Sequence, residues 1–157
     1  MKFVVVAVGD RMPRWVDEAF AEYAKRFPRS SRLDLIEVRP ERGAERRSVA
    51  ERLAGEARRL LAALPSDVLR VALDEGGLDL TTLQLAKRVG GWLAGGRDVA
   101  FVIGGPDGLD PGLKRSAALQ LRLSSLTLPH ALVRVLLAEQ LYRALSILDN
   151  HPYHRGG

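Results

Sequence analysis

At 157 residues, with no cysteine and a formal net charge of +5, the chain has the length of one domain that buries roughly 68–70% of its unfolded surface; disulfides, thiolate metal sites and a cysteine nucleophile are excluded. The opening run MKFVVVAVGDR is too short for a signal-peptide core and no later segment reaches membrane-spanning length, so the sequence reads as cytoplasmic. Residues 1–60 carry 14 Lys and Arg against 10 Asp and Glu, and the remainder 10 against 9. A basic surplus suits a nucleic-acid backbone; it equally suits a GC-rich coding sequence, since 20 of the 24 basic residues are Arg and only three Ile occur.

FVVVAV predicts a strand over residues 3–8. Trp15, Val16, Ala19, Phe20 and Tyr23 form one stripe of a helix that starts near Pro13 and ends before Pro28. A second strand follows at 33–38. The segment 40–47, PERGAERR, has no apolar residue larger than alanine and reads as an exposed, mobile loop. Val49, Leu53, Ala57, Leu60, Leu61 and Leu64 give a second helix, and 68–73 a third strand. Leu83, Ala86, Val89, Trp92 and Leu93 give a third helix ending near Gly95-Gly96. A fourth strand at 99–103, a short helix through Leu113 and Ala117, a fifth strand at 121–126 and a long helix at 131–148 complete the chain. This alternation predicts a single α/β domain, a parallel sheet flanked by helices with ligands at the carboxyl ends of the strands. Gly104-Gly105 and Leu73-Asp74 both lie there.

FVIGGPDG, 101–108, reads as a buried strand opening into a loop whose glycines let a ligand approach the backbone. The spacing is neither G-x-x-x-x-G-K nor G-x-G-x-x-G, which argues against a phosphate-anchored nucleotide. In the last helix Glu139, Arg143 and Ser146 fall in one narrow wedge and most of the circumference is apolar. Leu132, Leu136, Leu137, Leu141, Leu145 and Leu148 then need cover from two directions, which a symmetric dimer supplies, the alternative being a helix sandwiched within one chain. His130, after Pro129, reads as a helix-start residue. His151 and His154 with His130 lack a fourth ligand, so no metal is assigned.

Beyond these patterns, the stretches VVAVGDRMPRWVDEAFAEYAKRFPR, ALDEGGLDLTTLQLA, FVIGGPDG, LSSLTLPHALVRVLLAEQLYRALSI and DNHPYHR, spread over the whole chain, resemble the SPOUT-class RNA methyltransferases, in particular those that methylate a pseudouridine of large-subunit ribosomal RNA. The resemblance implies a trefoil knot in the carboxyl-terminal half, a homodimer, S-adenosyl-L-methionine as cofactor, and N3-methylation of a pseudouridine in 23S ribosomal RNA on the ribosome. A non-catalytic RNA-binding or ribosome-assembly protein on the same fold is the alternative. Carried over by residue, the cofactor site comprises Leu73, Gly104, Gly105, Leu123, Ser124, Ser125, Leu126, Thr127 and Leu128. An expected Gly-Lys pair is Gly77-Leu78 here, which removes any RNA contact through that lysine.

The tail His151-Pro152-Tyr153-His154-Arg155 has groups that stack on a base and pair with phosphate. Arg143, Tyr153, His154 and Arg155 are therefore expected at the target base, Arg143 stabilising its developing negative charge. His154, Glu139 or solvent would take the N3 proton. The length of the last helix carries the tail away from its own Gly104-Gly105 loop and toward a partner's pocket.

Overall fold

The computed structural model describes residues 1–41 and 43–155. Among them five strands alternate with five α-helices: β1 Phe3–Val8, α1 Arg14–Ala24, β2 Leu33–Val38, α2 Val49–Ala63, β3 Leu69–Asp79, α3 Thr82–Gly95, β4 Val99–Ile103, α4 Pro111–Ser116, β5 Leu119–Arg122 and α5 His130–Leu148. The strands form one wholly parallel sheet in the order β2-β1-β4-β3-β5. Every residue of β1 and β4 is buried, as their unbroken apolar runs require of strands covered on both faces. One face packs Phe3, Val5 and Phe101 against Val89, Leu137 and Leu141, under α1, α3 and α5. The other packs Val4, Val6 and Val102 against Leu60 and Leu113 of α2 and α4.

Helix ends follow from local chemistry. Ser48 with Glu51, and Thr81 with Gln84, form reciprocal capping boxes on α2 and α3. Gly96 ends α3 at φ 69° in the left-handed region. Asp110 accepts from the Leu113 amide at 3.0 Å and Pro111 opens α4.

Several expectations are corrected. β3 does not stop at Leu73: Gly76-Gly77 looks like a turn in sequence, yet the chain bulges over 74–77 and resumes pairing with Leu78 opposite Leu121 and Asp79 opposite Arg122. A Cβ at Gly77 would lie 2.7 Å from the Leu121 backbone, so only glycine allows this return. β5 starts earlier than expected and ends at Arg122, because the Ser124 hydroxyl accepts from the Leu126 amide at 2.9 Å and turns the chain off the sheet. Trp15, Val49, Leu61 and Leu83 lie outside the core at 55, 48, 42 and 70% exposure. Within 40–47, position 42 is outside the described residues; Pro40, Gly43, Glu45, Arg46 and Arg47 are exposed as expected, while Glu41 pairs with Arg47 at 3.0 Å and Arg59 at 3.3 Å and Ala44–Arg46 form a 3₁₀ turn.

α5 is covered mainly by its own chain. Leu137, Leu141 and Leu145 are buried between the sheet, α1 and α3, and Ser146 is buried with its hydroxyl donating to the Tyr142 carbonyl at 2.9 Å. Leu132 and Leu136 are half-buried and Leu148 is exposed. The internal sandwich therefore explains most of the apolar circumference.

Arg134, on the first turns of α5, is fully buried. Its Nη1 donates to Glu37 Oε2 at 2.7 Å, and its Nη2 to the Val8 and Gly9 carbonyls at 3.2 and 2.7 Å. Replacing one partner of a buried pair leaves the others desolvated and unpaired. Arg134→Met is accordingly expected to lower stability by about 3–5 kcal/mol, read from urea unfolding; a loss under about 1 kcal/mol would show that α5 docks without this cation.

Candidate functional site

A cavity of about 640 Å³ opens at the carboxyl ends of β3, β4 and β5 and reaches the start of α5. That volume suits a drug-sized ligand or cofactor. Its walls come from the β3 bulge, the loop after β4 and the loop from β5 to α5. Leu73, Gly104, Gly105, Leu123, Ser124, Leu126, Thr127 and Leu128 all line it, and Ser125 is the expected member that does not.

The loop after β4 is a tight turn. The Gly108 amide donates to the Gly105 carbonyl at 3.0 Å, with Pro106 and Asp107 between and Gly108 at φ 82°. Proline second and glycine fourth suit such a turn. A Cβ on Gly104 would meet the Gly108 carbonyl oxygen at 2.2 Å, whereas one on Gly105 would meet Val8 at 3.4 Å. Gly104 is thus the position where any side chain forces the turn open.

The polar lining was not legible in sequence. Asp74, Glu75 and Asp107 contribute carboxylates to the wall, with Arg122 and His130 as the basic groups. Lys114 reaches Asp74 at 3.2 Å, Arg52 reaches Asp107 at 2.9 Å, and Arg122 is taken up by Asp79 at 2.9 Å. Burial, then the Arg134 charge, lowers the His130 pKa and favours the neutral ring. The wall thus offers carboxylate oxygens as acceptors to a ligand's donors, with the charges of Asp74 and Asp107 already shared with Lys114 and Arg52. S-adenosylmethionine, which combines an adenosyl group with a cationic sulfur and an ammonium, fits the volume, the apolar loops and these acceptors. Glu56 lies under the turn, with its carboxylate oxygens 3.8 and 3.9 Å from a Cβ placed on Gly105. Burial first, then the Asp107 charge, raises its pKa.

The expected base-binding residues form a separate cluster. Arg143 donates to Glu139 through Nε at 2.8 Å and Nη2 at 2.6 Å, and its guanidinium lies 4.9 Å from the Tyr153 ring centroid. Tyr153 donates to Glu139 at 3.2 Å and packs edge-on against Tyr142. Burial, then the hydrogen bond with Tyr23, pushes its phenol pKa up to about 12. Arg26, just past the end of α1, spans the rings of Tyr23, Tyr142 and Tyr153 at 5.0, 5.7 and 5.9 Å. The carboxyl terminus therefore closes on α1 and α5 through Pro152–Arg155, a 3₁₀ turn. Arg155 stands apart from this stack, reaching Asn150 at 3.4 Å. None of Arg143, Tyr153, His154 and Arg155 lines the cavity. At 1.5 Å per residue, the helix from His130 on the cavity wall to Arg143 separates the two groups by roughly 20 Å. Among the described residues no three His, Cys, Asp or Glu are placed to hold a metal ion, and no helix is long and apolar enough to cross a membrane.

Two measurements test this geometry. Gly104→Ala is expected to lower the melting temperature while Gly105→Ala leaves it near that of the parent chain; equal losses would place the steric constraint elsewhere. For Glu56, a folded pKa above the ordinary value means that its stabilising contribution is present when protonated and is lost as pH rises through the raised value. Glu56→Gln should therefore melt higher than the parent at pH 7 to 8, with the gap closing below about pH 4; a gap that widens on acidification would contradict the sign.

A family model described as "Predicted SPOUT methyltransferase" matches residues 1–154. Over 155 residues, 99% of this chain and of each relative, the sequence is 58% identical to Ribosomal RNA large subunit methyltransferase H of Bordetella petrii, 59% identical to that of Bordetella pertussis and 57% identical to that of Ralstonia pickettii. With a parallel sheet, a loop-walled cavity at its strand ends and a match over nearly its full length, the chain belongs to the SPOUT methyltransferase family.

Proposed function

We propose that the chain transfers a methyl group from S-adenosylmethionine to N3 of a pseudouridine in large-subunit ribosomal RNA, as a cytoplasmic homodimer acting on the ribosome, with the knot its family implies. The observation that carries this reading is the carboxylate-lined, loop-walled cavity in a chain 58% identical, over almost its whole length, to a protein named for methylating that RNA. When bound, S-adenosylmethionine supplies an electrophilic methyl group on a cationic sulfur. The protein's part is to hold the base in line with it, since orientation at about 3–3.5 Å accounts for much of the rate in such transfers.

The target nitrogen must lose its proton, and the tail cluster supplies groups for each part of that task. Glu139 already accepts from Arg143, Gln140 and Tyr153, which makes it a positioning anchor and a poor base. With its pKa near 12, Tyr153 stays protonated at neutral pH and serves as a hydrogen-bond donor. Arg143, held charged by Glu139, stabilises the negative charge that develops on the base. His154, on the same 3₁₀ turn as Tyr153, is the group we assign to accept the proton, with Arg155 toward the RNA backbone.

Because cavity and tail cluster are roughly 20 Å apart along α5, one working site needs the cavity of one subunit and the tail of another. Leu80, Leu123, Leu128 and Leu136 line a second hollow of about 350 Å³ beside the main one, with Leu78 and Leu126 exposed nearby in sequence. This apolar surface is where a second copy of the chain would be seated.

Titration with S-adenosylmethionine, followed by mass spectrometry of methylated ribosomal RNA, tests the activity; a folded chain that binds RNA but no cofactor would instead be the non-catalytic protein. The shared site has its own test. Removing residues 151–157 should spare cofactor binding and abolish methylation, while Gly105→Val, which crowds Val8 and Glu56, should abolish cofactor binding. Mixed subunits carrying one defect each should regain activity through one intact composite site, and no recovery would mean that each chain builds its site alone.

A further inference from the structure

The cofactor turn is held from outside the cavity by a helix that the mechanism does not use. Arg52, one turn into α2, donates through Nη2 to Asp107 at the tip of the turn at 2.9 Å, across 55 residues of sequence. Through Nη1 it donates to the Arg47 carbonyl at 3.1 Å. Arg47 in turn pairs with Glu41 at 3.0 Å, and Glu41 with Arg59 at 3.3 Å. One guanidinium therefore links the Gly105–Gly108 turn to the arginine-bearing turn at 43–47.

The turn needs such a tie. Its internal hydrogen bond makes it a rigid unit seated on buried Gly104, Gly105 and Leu109, while its tip, Pro106 to Gly108, is exposed and is held by Arg52 at Asp107. Glu56, one helical turn after Arg52, adds a half-buried carboxylate below the same loop, and the charges facing it are Asp107, Arg52, Glu41 and Arg59. Without Arg52, Glu56 and Asp107 would repel one another across the turn. The guanidinium fork can satisfy two acceptors at fixed angles, which an ammonium cannot.

We propose that Arg52 is a positioning residue for the cofactor turn, acting through Asp107, and that it couples the cofactor cavity to the basic turn ahead of α2. This rests on the assignment of the cavity to S-adenosylmethionine. The coupling is reciprocal: a ligand that orders one turn favours order in the other. Exposed Arg46 and Arg47 on that turn make an RNA backbone the partner whose binding would be felt in the cavity.

The test is calorimetric titration with S-adenosylmethionine combined with hydrogen exchange. Arg52→Ala and Asp107→Asn should each weaken binding by about two- to fivefold, as expected for a partly exposed ion pair, and the double variant should be no weaker than either alone. Arg52→Lys should recover only part of the loss. In the parent chain the cofactor should slow amide exchange over residues 43–52, and in Arg52→Ala that protection should vanish while protection of the 123–128 loop persists. Unchanged affinity in Arg52→Ala, losses that multiply in the double variant, or cofactor-dependent protection of 43–52 that survives in Arg52→Ala would overturn the inference. Absence of binding by the parent chain would overturn the cofactor assignment itself.

Discussion

A single buried cation fixes where α5 can lie. Arg134 has no solvent exposure and spends its guanidinium on Glu37 and the Val8 and Gly9 carbonyls, at the ends of β2 and β1. Those carbonyls are where the sheet runs out of parallel partners, so without a donor they would be buried and unpaired. Gly9 takes φ 115° there, and a side chain on it would run into Met12 at 2.9 Å and Arg134 at 3.3 Å. The docking of α5 sets two further positions. Its first residue, His130, closes the cavity, and its last turns deliver the chain to the Tyr142–Tyr153 stack.

The helix thus separates two chemistries. At its start lie apolar loops and carboxylates, a surrounding for a cationic ligand; near its end lie Arg143, Arg26 and three tyrosine rings, a surrounding for a planar, anionic one. In both places charges are balanced locally: Lys114 on Asp74, Arg52 on Asp107, Glu139 on Arg143. Such pairing holds each group in a defined orientation and cancels much of its charge on the spot, so hydrogen-bond geometry more than net field distinguishes the two regions.

Much of this was legible in the sequence, for identifiable reasons. β1, β2 and β4 were placed to the residue: β1 and β4, buried on both faces, read as unbroken apolar runs, while β2, LDLIEV, lies at the sheet edge and is only partly buried. The apolar loops around Leu73, Gly104 and Leu128 were placed together by resemblance, and all the residues named from it except Ser125 line one cavity. The β3 bulge was hidden because Gly76-Gly77 is also what a turn would contain, and only the approach of Leu121 to within 2.7 Å of a Gly77 Cβ distinguishes the two. Arg134 was unreadable for a different reason: an arginine on a helix is ordinarily exposed, and its partners are about 97 and 125 residues away in sequence. Trp15 was misassigned because its stripe continues the apolar face of α1 one residue too far toward the amino terminus, beyond the edge of the core.

The strand order has a consequence for how the chain acquires its fold. No two neighbouring strands are joined by a hairpin; β1 pairs with β4 from Phe3 opposite Val99, so the sheet's interior closes only after nearly a hundred residues exist. Contacts this distant in sequence carry a large loop-closure cost before they return any burial, which makes folding slow relative to a helical bundle of the same size. The helix that satisfies the ends of β1 and β2 also lies far from both strands in sequence, at His130–Leu148. The amino-terminal strands therefore have their carbonyls and valines unmatched until α5, more than ninety residues after β2, can dock on them.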